Sequence, residues 1–289
     1  MVGPEPFKER TQMSTPQMTP SFITANLVAK EVGYKLDPFN WGIADKATRD
    51  AFHGPNFGKK FDELCATVAG IGFKAIDIWV AHLDPERVSD GMVSEAIDIL
   101  KRHSLKVVAY TAGLGKPNMT VAEGEKVYKV AKAIGAPVID VGLNLTNAQL
   151  AFDLGKEYGI KYAIENHPEK NPQEVLAKIG PYGEWIGIAQ DTGFWGMFGY
   201  DAVKATHELK DHLFHMHLKQ MKRVGEHWVC CAYKDGIVNI NGVVQALKEV
   251  GFKGAISIET EAEDHSPIDE VVSSLNDLNS WLDYLGVSH

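Results

Sequence analysis

Two glutamates, an aspartate and a histidine recur at intervals that could bring them to one point. They are Glu165 in YAIENHP, Asp191 in IGIAQDTG, His217 in LFHMHLKQ and Glu259 in AISIETE. Successive members are 26, 26 and 42 residues apart. One strand–helix unit takes about 25 to 40 residues. Each residue would therefore stand one unit beyond the last, at the carboxyl end of its strand. In a closed parallel barrel those ends share one mouth. Three carboxylates and one imidazole form a mostly oxygen-donor set, which suits Mn²⁺, Mg²⁺ or Co²⁺ and tolerates Zn²⁺. The expected cofactor is one divalent ion, Mn²⁺ ahead of the others. Such an ion with open positions can grip adjacent sugar oxygens, polarise a carbonyl and stabilise an enediolate oxyanion. The neighbouring C–H then becomes acidic enough for a carboxylate or a histidine to remove. Returning the proton to another atom or face gives isomerisation or epimerisation. Departure of a β group gives elimination.

Side chains two apart along a strand face the same side. Glu165 thus shares a face with His167, His217 with His215 and Lys219, and Glu259 with Glu261. His167, Lys219 and Glu261 are expected at the mouth as substrate or supporting groups, and His167 joins Glu165 and Glu259 as a catalytic candidate. His215 reads as a packed barrel histidine. His82, just past the second strand in WVAHLDPE, is a further substrate-contact candidate. After Asp191 comes TGFWGMFGY, aromatic residues set among glycines. It reads as a loop presenting an apolar wall for a flat substrate ring or a partner protein, with Phe194 and Trp195 as substrate-contact candidates. A lone glutamate at a strand end is ordinarily solvated or ion-paired; four ligand types on four strands carry the metal reading. Other patterns fall away. The histidines of HELKDH are about 140° apart around a helix, GLGKP lacks phosphate-loop spacing, and Cys230–Cys231 is not CxxC.

The positioning elements follow from short apolar runs alternating with amphipathic stretches. SFITAN, KAIDIWV, KVVAYTA, PVIDVGL, YAIEN, IGIAQ, LFHMHLK and AISIETE read as strands buried on both faces. Helices are expected over roughly 58–71, in PERVSDGMVSEAIDILKRHS with its early proline, in TVAEGEKVYKVAKAIG closed by Gly135, in NAQLAFDLGKEYG, and near 173–180, 201–211, 241–251 and 267–285. Eight of each in alternation demand a parallel sheet. The count, and ligands at several strand ends rather than one switch point, favour an α/β (β/α)8 TIM barrel in a single domain. Residues 1–20, with four prolines, read as a flexible arm, and residues 21–289 as the barrel. A long aromatic, charged loop, residues 32–56, follows the first strand.

The net charge of −9, from 29 basic and 38 acidic residues, argues against a nucleic-acid surface or an anionic membrane. No apolar run is long enough to span a bilayer, and the first twenty residues hold no secretory signal. Three cysteines make no disulfide framework, so a reducing cytoplasm is expected.

Together these motifs resemble the xylose-isomerase-like barrel superfamily, which includes tagatose and psicose 3-epimerases, inosose dehydratase and isomerase, hydroxypyruvate isomerase and metal-dependent apurinic endonucleases. The resemblance covers roughly residues 21–285. It rests on Glu165, Asp191-Thr192-Gly193, His217-Leu218-Lys219, the segment Gly236 to Val243, and Ile258-Glu259. It implies that Glu165, Asp191, His217 and Glu259 bind one divalent ion and that the two glutamates share the proton transfer. Many members carry histidine directly after Asp-Thr-Gly. Here that position is Phe194, and His167 is placed to supply the missing imidazole. The aromatic segment after the first strand, the WxAHL pattern at 79–83 and the Glu-Asn-His-Pro run are similar to the large subunit of C-glycoside deglycosidases, which act on 3-oxo-glycosides. That likeness implies elimination of an aromatic aglycone and a small β-rich second subunit. A keto-sugar isomerase or epimerase, or an inosose-type dehydratase, stands beside it as an equal alternative, and a homo-oligomer beside the second subunit. An endonuclease would need more histidines and a basic surface, and a scaffold barrel would not keep four ligands.

Overall fold

In the computed structural model, which describes residues 18–289, eight strands run parallel and close into a barrel. They are β1 (Thr19–Ile23), β2 (Ala75–Trp79), β3 (Lys106–Thr111), β4 (Val138–Val141), β5 (Lys161–Glu165), β6 (Ile186–Asp191), β7 (Leu213–Lys219) and β10 (Ala255–Glu259). Each pairs with its neighbour in the series, and β1 pairs with β10 to close the ring. This is the expected (β/α)8 TIM barrel. Up to residue 17, the expected N-terminal arm lies outside the described residues.

Alternation along the strands divides their side chains between two environments. Ile76, Ile78, Ile139, Ile164, Ile188, Ile256 and Ile258 pack in the main core, shared with the helices. Small residues fill two separate clusters, one of Ala75, Val108 and Ala255, the other of Val138, Ala163 and Ala189 with Phe214 against it. A second set on the strands is polar and fully buried: Ser21, Asp77, Asp140, His215, His217 and Ser257. Two register shifts, at Ile76/Asp77 and Ile188/Ala189, lie next to this polar set.

The surrounding helices are α1 (Trp41–Phe52), α2 (Phe57–Ile71), α3 (Asp90–Arg102), α4 (Val121–Ile134), α5 (Ala148–Tyr158), α6 (Pro172–Ile179), α7 (Thr192–Met197), α8 (Ala202–Leu209), α9 (Ile240–Glu249) and α10 (Ile268–Leu285). Their ends follow local chemistry. Thr120 and Glu123 form a reciprocal capping box at the start of α4, and Gly135 closes it at φ 78°. Ser89 caps α3 by accepting from Met92 N–H, so that helix begins after the proline segment expected to open it.

Three features differ from the sequence reading. The stretch after β1 contains α1, capped by Asn40, whose side chain accepts from Ile43 N–H. An antiparallel hairpin, β8 (Met221–Val224) with β9 (His227–Cys230), rises after β7; its short, half-polar strands carry no long apolar run. Residues Thr192–Met197 form the helix α7 rather than a loop, because Asp191 Oδ1 accepts from Gly193 and Phe194 N–H and starts a turn. No helix among the described residues is long and apolar enough to cross a membrane.

Candidate metal centre

Glu165, Asp191 and Glu259 are the last residues of β5, β6 and β10, and His217 lies two residues before the end of β7. The barrel brings them to one mouth. His217 Nδ1 is 2.9 Å from Glu165 Oε1 and 3.3 Å from Glu259 Oε2. These three residues can present donor atoms all within 4.8 Å of one another. Asp191 stands at the edge of the triad, its Oδ2 3.5 Å from Lys219 Nζ. The same ammonium is 3.0 Å from Glu259 Oε1 and 2.6 Å from Glu261 Oε2. Lys219 and Glu261 thus lie beside the cluster, Glu261 two residues beyond the end of β10.

Side-chain clamps between neighbouring strand ends fix this arrangement. Asn166 donates from Nδ2 to Asp191 O (2.8 Å) and accepts on Oδ1 from Asp191 N–H (2.7 Å). Asn26 does the same around Glu259, donating to Ile258 O (2.9 Å) and accepting from Thr260 N–H (2.6 Å). Thr192 Oγ1 donates to Lys219 O (2.8 Å) and accepts from Lys219 N–H (2.9 Å). Gly193 leaves space for the Lys219 stem, since a Cβ there would lie 2.9 Å from Lys219 Cγ. Sequence reading passed over Asn26 and Asn166, whose only signal is an amide directly at a strand end.

Four carboxylates, Glu165, Asp191, Glu259 and Glu261, face one resident ammonium. Burial of such an excess of negative charge is unfavourable without a further cation. The titration behaviour records this tension. Burial pushes Asp191 up to about 7, with Glu259 and Glu165 adding to the rise against the opposing pull of Lys219. Burial also pushes at Glu259, yet the charges of Lys219 and His217 outweigh it and hold that carboxyl well below its ordinary range. For His217, burial favours the neutral ring, but Glu259, Asp140, Asp77 and Glu165 overcome it and raise its pKa. Asp191 Oδ2 and Glu259 Oε2 are buried and accept no hydrogen bond. Glu259 Oε2, 3.3 Å from His217 Nδ1, and Asp191 Oδ2 at the edge of the same group fit a divalent ion, and one ion would bring the cluster to within one charge of neutrality.

A pH dependence follows. Ligands bind metal in their deprotonated forms, and Asp191 is largely protonated below about 7. Raised pKa values at both Asp191 and His217 mean that protons compete with the ion. Affinity for Mn²⁺ should strengthen as pH rises and weaken at least about tenfold per unit below pH 7. Calorimetric titration at several pH values checks this; affinity unchanged between about pH 5 and pH 8 would contradict it.

The cavity at the cluster has a volume of about 310 Å³ and a mixed lining: Glu165, His167, His217, Lys219, Glu259 and Glu261 are polar, while Ile23, Ala25, Trp41, Trp79 and Val141 are apolar. Phe194 also lines it, its ring centroid 4.1 Å from that of His167. A larger outer groove of about 790 Å³ continues outward between residues 34–41 and the β8–β9 hairpin, lined by Phe39, Met197, Met221, Val224 and Trp228 among others. Trp41, Phe194, Lys219 and Glu261 border both spaces and form the neck between them.

Two expected substrate contacts sit elsewhere. His82 is buried behind Trp79, ring centroids 5.5 Å apart. Its Nδ1 is 3.0 Å from Thr24 Oγ1, which also accepts from Trp79 N–H. Burial pushes His82 down to about 3, so it is neutral and props Trp79 rather than meeting ligand. Trp195 is fully buried against Tyr200, because the helical turn of α7 sends Phe194 toward the cavity and the next side chain into the core. Trp195→Ala should cost about 3 to 5 kcal/mol of stability. Urea unfolding measures it, and unchanged stability would show that the ring is not core.

Beneath the mouth lies a second compact group, Asp77, Asp140, His215 and His217, all buried. Sequence reading assigned His215 to the barrel interior, where it is, but gave Asp77 and Asp140 no role. Their signal was present: each is an acid inside an otherwise apolar strand, KAIDIWV and PVIDVGL.

Residues 144–282 match the family model described as xylose isomerase-like TIM barrel. No curated protein matches the chain by sequence. Solved structures with the same fold include the probable 3-DHS dehydratase AsbF from Bacillus anthracis, at 14% identity and a TM-score of 0.67, covering 91% of this chain and 99% of that one. D-allulose 3-epimerase from Methylomonas sp. aligns at 16% identity and a TM-score of 0.62, covering 93% and 100%. An IOLI protein with a bound zinc atom aligns at 14% identity and a TM-score of 0.66, covering 92% and 99%. The chain folds as a (β/α)8 TIM barrel, and its residues 144–282 match the xylose isomerase-like family model.

Proposed function

We propose that this barrel is a divalent-metal-dependent enzyme, Mn²⁺ being the best match to its donors, that removes a proton next to the carbonyl of a keto-sugar or 3-oxo-glycoside. The observation that carries the reading is the close group of Glu165, His217 and Glu259 with Asp191 at its edge, and the buried Asp191 Oδ2 and Glu259 Oε2 that lack hydrogen-bond partners. A bound ion would supply carbonyl polarisation and stabilisation of enediolate charge. The chain's own groups do the rest. Glu259 or His167 takes the proton from carbon, and Glu165 is the second carboxylate available to return one; all three line the cavity. Lys219 and Glu261 meet substrate oxygens at the neck. Trp41 and Trp79 cover the opposite face of the sugar and limit the entry of water.

Between the possible outcomes, the outer groove favours elimination. An isomerase acting on a free sugar has no need of about 790 Å³ of space beyond its reaction cavity, a space where Phe39, Trp41 and Trp228 stand among charged groups. A 3-oxo-glycoside would place its sugar inside and a flat aglycone outside. Loss of the proton leaves an electron pair on carbon; this forms a C=C bond as the bond to the aglycone breaks, and the aglycone takes up a proton. Epimerisation or isomerisation of a free keto-sugar is the second reading, in line with the epimerase fold of the Methylomonas protein. A second subunit or a further copy of the chain belongs to the same proposal, supported by Ile43, Phe198 and Val224, apolar and exposed.

Incubation with Mn²⁺ in D₂O and a panel of free ketoses, keto-inositols and aryl 3-oxo-glycosides tests the reaction class. Solvent deuterium should enter the isomerised product or residual substrate, or free aglycone should appear. No turnover or exchange with any carbonyl sugar would remove the reading.

A further inference from the structure

We propose that Asp140 is a positioning residue that sets which nitrogen of His217 faces the metal; the inference rests on the metal centre proposed above. The His217 ring spans two groups of acids. Nδ1 points to Glu165 Oε1 at 2.9 Å, and Nε2 lies 2.9 Å from Asp140 Oδ2. A metal-bound neutral imidazole keeps a single proton, and the acceptor on its far nitrogen decides where that proton stays. With Asp140 accepting from Nε2–H, the lone pair of Nδ1 is directed into the carboxylate cage.

Asp77 is the rival acceptor, and its contacts set it aside. Its oxygens already accept from Thr111 Oγ1 (2.8 Å) and Ser257 Oγ (2.9 Å), and Oδ2 is 3.1 Å from His215 Nε2. It is 3.5 Å from His217 Nε2, beyond a good hydrogen bond. Asp140 accepts from no hydroxyl, and His215 Nε2 stands 3.4 Å from its Oδ2, farther than the 2.9 Å of His217 Nε2. Asp140 Oδ1 is buried without a partner, and His217 is the residue Asp140 hydrogen-bonds. Asp77 thus serves His215, and Asp140 serves His217.

The backbone supports the same assignment. Val141, directly after Asp140, has φ 141°, a conformation that β-branched residues avoid. Regular alternation would turn Asp140 inward and Val141 outward. Instead Val141 lines the cavity while Asp140 reaches the His217 ring beneath it. Consecutive side chains face the interior, and strain of this kind is retained where placement matters.

The test combines metal titration with nitrogen-15 NMR of the Zn²⁺-loaded protein, a diamagnetic stand-in. In the wild type, His217 should carry its proton on Nε2. Asp140→Asn should lower Mn²⁺ affinity about 10- to 100-fold and disturb that proton assignment. Asp77→Asn, equally buried in the same network, should change affinity by much less. A proton on Nδ1 in the wild type would overturn the proposal even if no variant folds. So would equal losses in both variants, unchanged affinity in Asp140→Asn, or two ions per wild-type chain, since the second would occupy Nε2. A wild type that binds neither metal brings down the metal centre itself, and this inference with it.

Discussion

Replacing Glu259 with glutamine should leave the barrel folded and cut kcat/KM by at least about 10³-fold. The substitution keeps the shape of a fully buried side chain that contacts both Lys219 and His217. It removes one ligand charge and one of the groups placed to move a proton. Losing a metal's stabilisation of transition-state charge costs several kcal/mol, and each factor of ten in rate corresponds to about 1.4 kcal/mol. Metal content should fall in parallel, as it should in Glu165→Gln, Asp191→Asn and His217→Ala. Wild-type metal content in all four proteins would contradict the assignment, whatever the activities.

The second large effect concerns substrate choice. Phe194→His combined with Trp41→Ala should move preference from aryl 3-oxo-glycosides toward free keto-sugars. Both residues border the neck, and Trp41 is 42% exposed to whatever occupies it. Burying about 80 Å² of an aromatic ring there contributes about 2 kcal/mol, close to 30-fold in kcat/KM. A free sugar gains nothing comparable, because hydroxyls left dry against an apolar wall cost about 1 to 3 kcal/mol each. The imidazole at position 194 would give those hydroxyls a partner. Kinetic constants for both substrate types on wild type and double variant decide the matter. If the wild type already prefers the free sugar and the variant changes nothing, the outer groove serves another purpose. Trp195, adjacent in sequence, is unsuitable for this test because its removal would open a hole in the core.

The barrel was legible because its signal is repetitive. Runs such as KAIDIWV and AISIETE are too short and too β-branched for helices, and eight of them leave few topologies. The four candidate ligands were legible because charge at a strand end stands out against an apolar strand. What escaped depended on contacts that no local pattern encodes. The α7 turn hangs on one carboxylate oxygen of Asp191, and it decides that Phe194 meets the cavity while Trp195 does not. His82 looked available at the end of its strand, but Trp79 and Thr24 enclose it. Trp41 sits in a stretch read as loop, and the helix it opens carries it to the mouth. Asn26 and Asn166 each bridge to the neighbouring strand of the barrel, at sequence separations of 232 and 25 residues.

One divalent ion is expected among Glu165, Asp191, His217 and Glu259. Anomalous scattering from a crystal of the protein grown with Mn²⁺ tests it most directly. A single strong peak is expected at about 2.0 to 2.3 Å from oxygens of the three carboxylates and from Nδ1 of His217, with Lys219 retained on Glu261. A peak bound instead between Asp77, Asp140 and His215, or none with Lys219 still bridging Asp191 and Glu259, would contradict it.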